Sequence, residues 1–208
     1  MSAHFGPQHW WPGETEIEII VGAVLTQNTN WKNVEKAIKR LKEKNLLSIE
    51  AIHSLPTQVL AEVIRPAGYY NVKAKRLKNL IHFIVERYGE DITVFLNEET
   101  EKLRQGLLSV RGIGEETADS ILLYAAARPV FVIDAYTFRI LSRHGMVAEQ
   151  SSYSELQSFF MDHLPEDRGL YGEFHALIVR TGKEFCLSRG PRCPICPLNN
   201  WGQIPPSV

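Results

Sequence analysis

Apolar side chains recur at three- and four-residue spacings along most of the chain, the period of an α-helix that buries one face. Ile19, Ala23, Val24 and Gln27 open the series, and Val34, Ile38 and Leu41 continue it. The same pattern predicts helices over 57–65, 73–88, 100–108, 115–127, 135–144, 152–163 and 169–184. Short loops separate them, marked by Pro56, Pro66-Ala67-Gly68, Gly89, Gly112, Pro129 and Pro165. Only Val130 to Ile133 reads as a strand, and one short segment cannot build a sheet. The expected fold is all-α, with many helices joined by short connections.

Composition narrows the class. With 208 residues, 44% hydrophobic and 23% charged, the chain has room for one or two domains with a proper core. It shows no low-complexity linker and no repeat. The longest apolar run, Ile19 to Leu25, falls far short of the roughly 20 residues that cross a bilayer. The acidic, proline-broken N-terminus does not read as a signal peptide, so a cytoplasmic protein with no membrane partner is expected. Lys and Arg number 23 against 24 Asp and Glu, which excludes a purely electrostatic nucleic-acid binder; any such binding must use local patches. The three cysteines, Cys186, Cys193 and Cys196, lie in one short stretch and suggest a metal more than a disulfide framework.

The segment Val110-Arg111-Gly112-Ile113-Gly114-Glu115-Glu116-Thr117-Ala118-Asp119 places two glycines in a tight turn directly before an amphipathic helix. Unpaired amides at such a turn attract a phosphate, and glycine lets the backbone come close. This is the turn of a helix-hairpin-helix. Downstream, Asp134 follows the apolar Phe131-Val132-Ile133 and opens the next helix, where an aspartate also serves simply as an N-cap.

A glycine hairpin, a helix, a short apolar segment and then an aspartate together resemble the helix-hairpin-helix glycine/proline/aspartate family of DNA glycosylases, to which endonuclease III belongs. The likeness extends over nearly the whole chain. It implies a two-lobed helical fold with DNA and the active site in the cleft between lobes. One lobe would be a bundle of residues 21–129, the other residues 1–20 plus 130–208. Asp134 would be catalytic, either deprotonating a water for attack on C1′ or stabilising the cationic sugar. Ala23-Val24-Leu25-Thr26-Gln27-Asn28-Thr29 is similar to the segment whose glutamine enters the DNA stack, which assigns that role to Gln27. Ala67-Gly68-Tyr69-Tyr70-Asn71-Val72-Lys73-Ala74 is similar to the second DNA-entering loop, with Tyr69 as wedge. Such groups partly offset the unstacking cost of base flipping. Gly112, Ile113 and Gly114 would hold a phosphate, with Lys73, Lys75 and Arg76 adding grip. The spacing Cys186-x6-Cys193-x2-Cys196 matches the first three ligands of the family's [4Fe-4S] loop. Gly202 stands at the fourth, so a cluster with an exogenous ligand, a relic loop or another metal remain alternatives. Lys183, Arg189 and Arg192 surround this loop as candidate phosphate contacts.

In family members that also cut the backbone, a lysine of the hairpin helix forms a Schiff base; here that position is Glu116, which implies a monofunctional glycosylase with lyase activity absent or weak. His9-Trp10-Trp11-Pro12 and Trp31 resemble the pocket of bacterial 3-methyladenine glycosylases of the endonuclease III type. The base pocket is accordingly assigned to Trp10, Trp11, Pro12 and Trp31, whose indole faces suit a cationic alkylated purine. The partner would be double-stranded DNA with a damaged base, bound by a monomer. Alternatives are a thymine or uracil mismatch glycosylase, an endonuclease III-like enzyme for damaged pyrimidines, and a DNA-damage-binding module without catalysis.

Overall fold

The structure, a computed structural model, describes residues 1–148 and 150–199. Its α-helices, in chain order, are α1 (Ser2–Phe5), α2 (Glu16–Leu25), α3 (Trp31–Glu43), α4 (Ile49–Ser54), α5 (Thr57–Val63), α6 (Tyr70–Tyr88), α7 (Ile92–Leu96), α8 (Thr100–Ser109), α9 (Glu115–Ser120), α10 (Ala135–Arg143), α11 (Tyr153–Met161) and α12 (Arg168–Glu184). No strand occurs among the described residues, and the fold class is all-α. No helix among them is long and apolar enough to cross a membrane. The chain divides into two compact units, residues 12–128 and residues 1–11 with 129–208.

The first unit therefore begins at Pro12 rather than at residue 21. The reason is α2 itself, a continuous helix whose Ile20, Val21, Val24 and Leu25 are fully buried. Thr15 caps it by accepting from the Glu18 amide, and Glu18 meets Lys42 of α3 at 2.9 Å. The residues ahead of position 21 thus cannot be parted from the bundle. At its centre α6 packs against α2, α4, α5 and α7 and buries Leu77, Leu80, Ile81 and Ile84. The helices α8 and α9 flank the glycine turn and are tied by a bidentate pair, Arg104 Nε and Nη2 to the Asp119 carboxylate at 2.7 and 3.1 Å. The helix expected over 115–127 is α-helical only to Ser120 and continues as a π turn over Ile121–Ala125. The sequence pattern also passes over α4 and α7. Each is about one or two turns long, too short to show a period, and each is set by a cap: Ser48 accepts from the Ala51 amide, and Asp91 from the Thr93 and Val94 amides.

In the second unit α10 packs on α12. Gly182 permits this, since a Cβ there would collide with the Tyr136 ring. The segment 130–133 is extended and buried as its apolar run suggests, but it pairs with side chains of α11 instead of a strand. Gln157 Nε2 donates to the Phe131 carbonyl at 2.7 Å, and the Ile133 amide donates to the Tyr153 hydroxyl at 3.3 Å. Phe131 stacks on Phe160 with centroids 4.0 Å apart. The N-terminal segment closes onto α12: the Gln8 amide donates to both Glu173 carboxylate oxygens, at 2.9 and 3.0 Å, and the Arg180 guanidinium lies 4.5 Å from the Phe5 ring centroid.

Candidate active site of a DNA glycosylase

Asp134 stands at the N-terminus of α10, and its two oxygens have different surroundings. Oδ1 accepts from the Thr137 amide at 2.7 Å and the Thr137 hydroxyl at 2.8 Å, the N-cap expected of an aspartate at this position. Oδ2 faces His175 of α12, with Nε2 at 3.6 Å. The Asp134 side chain is 9% exposed and that of His175 7%. Burial pushes the carboxyl pKa up, but His175 and the two Thr137 bonds outweigh it and hold the group below its ordinary value. The result is a nearly enclosed carboxylate, ionised at neutral pH, with one oxygen fixed and the other directed at an imidazole.

Lys183, two helical turns beyond His175 on α12, is exposed but stands near two aromatic rings. Its Nζ lies 5.9 Å from the Trp10 ring and 6.0 Å from the Tyr136 ring. Desolvation pushes its pKa below the usual lysine range, while the Asp134 charge acts the other way. Trp10 and Trp11 pack edge to face, centroids 5.6 Å apart, and both are half-buried. Pro12 and Trp31 fold with the 12–128 unit. Sequence reasoning missed His175 and singled out Lys183 only as a candidate phosphate contact beside the cysteine loop. Their spacing of eight residues on α12, with Gly182 between, was the available signal, since i, i+4 and i+8 share a helix face.

In the 12–128 unit Tyr69 is 73% exposed and adopts a left-handed conformation, φ 47°, at the entry to α6. Gln27, half-buried, donates its side-chain amide to Thr117 Oγ1 at 2.9 Å and to the Gly112 carbonyl at 3.2 Å. The hairpin glycines have separate reasons. Gly112 has φ 101° and lies so close to the Arg76 stem that a Cβ would collide with it; Gly114 is the N-cap of α9. Neither amide donates to a backbone carbonyl among the described residues.

Two assignments are corrected. The Ile113 amide donates to the Val110 carbonyl at 3.0 Å, and its side chain is 5% exposed, so Ile113 closes and anchors the turn and offers no donor to a phosphate. Lys73 is 1% exposed and donates to the Leu25 carbonyl at 2.9 Å and the Ala67 carbonyl at 2.7 Å. Burial, with the Arg76 charge nearby, pushes its pKa down to about 8. It is an internal strut and does not face a ligand.

The cysteine segment is held by arginines of α10. Arg139 Nε donates to the Cys186 carbonyl at 2.7 Å, and Arg143 donates to the Leu187 and Ser188 carbonyls and, at 3.3 Å, to Cys186 Sγ. No three His, Cys, Asp or Glu side chains among the described residues gather into a metal-holding group, and Gly202 lies outside the described residues. Three thiolates with Gly202 at the fourth position of the spacing fall one short of the four that usually hold a [4Fe-4S] cluster.

Residues 21–166 match the family described as "HhH-GPD superfamily base excision DNA repair protein". The chain belongs to this superfamily. Among HhH-GPD relatives, "Putative DNA repair glycosylase MJ1434" of Methanocaldococcus jannaschii is 50% identical over 95% of this chain and 90% of its own length. The Endonuclease III of Thermotoga maritima is 30% identical over 88% of this chain and 80% of its own. Among solved HhH-GPD structures, the 3-methyladenine DNA glycosylase MagIII of H. pylori, bound to 1,N6-ethenoadenine, superimposes with a TM-score of 0.76 at 35% identity. That match covers 84% of this chain and 88% of that one. Membership makes this chain a DNA glycosylase of base excision repair.

Proposed function

We propose that the protein is a monofunctional glycosylase that binds duplex DNA, flips out an alkylated purine of the 3-methyladenine type and hydrolyses its N-glycosidic bond, leaving an uncut abasic site. The observation that carries this reading is the enclosed, ionised Asp134, with Oδ1 fixed by Thr137 and Oδ2 beside His175. A carboxylate so held stabilises a cationic sugar or takes a proton from water. Gln27 and Tyr69 fill the space left in the duplex, the Gly112 and Gly114 amides hold a phosphate, and Trp10 and Trp11 receive the base. Alkylation on a ring nitrogen has already weakened the glycosidic bond, so stacking supplies selectivity. Likeness to MagIII supports this substrate class. Glu116, exposed at the first turn of α9, offers no amine for a Schiff base, which supports hydrolysis over strand cleavage.

One observation favours a second substrate. The Lys183 ammonium already lies near the Trp10 and Tyr136 faces, where it repels a cationic base and suits a pyrimidine with carbonyl acceptors. Base release from duplexes carrying 3-methyladenine, or uracil or thymine opposite guanine, decides between them, scored before and after alkali. Release of 3-methyladenine with breaks only after alkali is expected, and Asp134→Asn lowers its rate by about 10²- to 10⁴-fold. Release of uracil or thymine instead transfers the reading to the pyrimidine class. A covalent adduct trapped by borohydride overturns the monofunctional assignment, and binding without release from any duplex overturns catalysis.

A further inference from the structure

The three segments of the 12–128 unit assigned above to DNA are distant in sequence: Gln27 follows α2, Tyr69 precedes α6, and the glycine turn precedes α9. One strip of α6 reaches all of them. Lys73 Nζ donates to the carbonyls of Leu25 and Ala67, which end α2 and the turn before Tyr69. Three residues on, Arg76 Nη1 donates to Gln27 Oε1 at 2.5 Å. Three further on, Asn79 Nδ2 donates to the Arg111 carbonyl at 2.9 Å, immediately before Gly112. Residues at steps of three follow one slanting side of a helix, so a single rigid element carries the three ties.

The contacts around Arg76 close on themselves. Its guanidinium holds the oxygen of the Gln27 amide, while the nitrogen of that amide binds Gly112 and Thr117 of the hairpin. The stem of Arg76 packs where a side chain at position 112 would stand. Gln27 is thereby docked between α6 and the hairpin through both ends of its amide. The donor is a planar guanidinium, which fixes the amide orientation as well as its place.

We propose that Arg76 is a positioning residue that acts through Gln27, and that the Lys73–Arg76–Asn79 strip sets the Gln27 loop, the Tyr69 loop and the hairpin as one prearranged DNA-reading unit. The ordering cost of Gln27 is then met on folding and not on binding. This rests on the reading that Gln27 enters DNA.

The test is a double-mutant cycle on the full chain with Arg76→Met and Gln27→Ala, measured as affinity for a duplex with a tetrahydrofuran abasic analogue and as the single-turnover rate of base release. Thermal unfolding confirms that each variant folds. Side-chain amide resonances of Gln27 in DNA-free protein report the docking without any DNA. Each single variant should lose about tenfold, the scale of one charge-assisted hydrogen bond, and the double variant should lose no more than either. Arg76→Met should also move the Gln27 amide resonances, and Arg76→Lys, which keeps the charge without the fork, should restore only part of the loss. Multiplying losses would mean that Arg76 meets DNA itself and would overturn the proposal, as would Gln27 resonances unmoved by Arg76→Met. Moved resonances together with a Gln27→Ala variant of full affinity and rate would instead overturn the assignment of Gln27 to DNA, and the positioning role with it.

Discussion

Asp134 serves two ends with two oxygens. Oδ1 completes the first turn of α10, and Oδ2 is left to the imidazole of His175. Because the carboxyl pKa is depressed in the fold, the carboxylate persists as pH falls through the ordinary range and is lost only below it. Its contribution to stability follows the same sign: present above the unfolded pKa, about 3.9 for an aspartate, and lost as pH drops through the folded one. Replacing His175 with Gln removes the largest group opposing the burial penalty, so the Asp134 pKa should rise. The acid limb of the single-turnover rate of base release then moves to higher pH, with the plateau at neutral pH reduced less than by Asp134→Asn. A pH–rate profile of the two proteins measures this, and coincident acid limbs would remove His175 from the account. The N-cap use of Asp134 was legible in sequence because an aspartate that opens a helix after an apolar run has a local signature, whereas its catalytic reading came from the family resemblance. His175 was not legible, since its significance comes from α12 crossing α10, a contact that α10's own sequence does not encode.

The helices α8 and α9 with their glycine turn show how an element takes its stability from one long-range pair. The Asp119 side chain is completely buried and meets Arg104 through two parallel hydrogen bonds. Removing the guanidinium leaves a buried carboxylate without its main charge partner, a loss of the order of 3–5 kcal/mol. Arg104→Met should therefore lower the unfolding free energy measured in urea by that amount, with a lower midpoint, and the hairpin amides should exchange faster than the rest of the unit. A change within a few tenths of a kcal/mol would show the pair to be dispensable. Most helices were legible from their apolar period: α5, α6, α8, α10, α11 and α12 lie within a few residues of the expected spans, and α3 carries the expected Val34, Ile38 and Leu41. What the period could not convey was the use of a polar side chain inward. Lys73 sits beside Lys75 and Arg76 in sequence and looks like part of a basic face. Its burial follows from carbonyls 48 and 6 residues away.

At the scale of the molecule the chain path sets a hierarchy of independence. Residues 12–128 are one uninterrupted stretch with its own core, whereas the other unit is assembled from residues 1–11 and the chain after 128. The second unit holds Asp134, His175, Lys183, Trp10 and Trp11, and its N-terminal piece is fastened by the Gln8 amide on the Glu173 carboxylate and by Phe5 beneath Arg180. A fragment of residues 12–128 should therefore fold alone, with a helical circular-dichroism spectrum and cooperative thermal unfolding. It should retain salt-sensitive binding to duplex DNA through the Gln27 loop, Tyr69 and the hairpin, yet release no base. Removing only residues 1–11 leaves Asp134 in the chain but takes away Trp10, Trp11 and the partner of Glu173, so base release should fall sharply while that binding persists. Cooperative unfolding and DNA binding of the fragment, measured beside base release by the truncated chain, separate the two dependences. A fragment that unfolds without cooperativity would show that the continuous unit needs the discontinuous one, and undiminished base release by the truncated chain would remove the tryptophan pair from the base site.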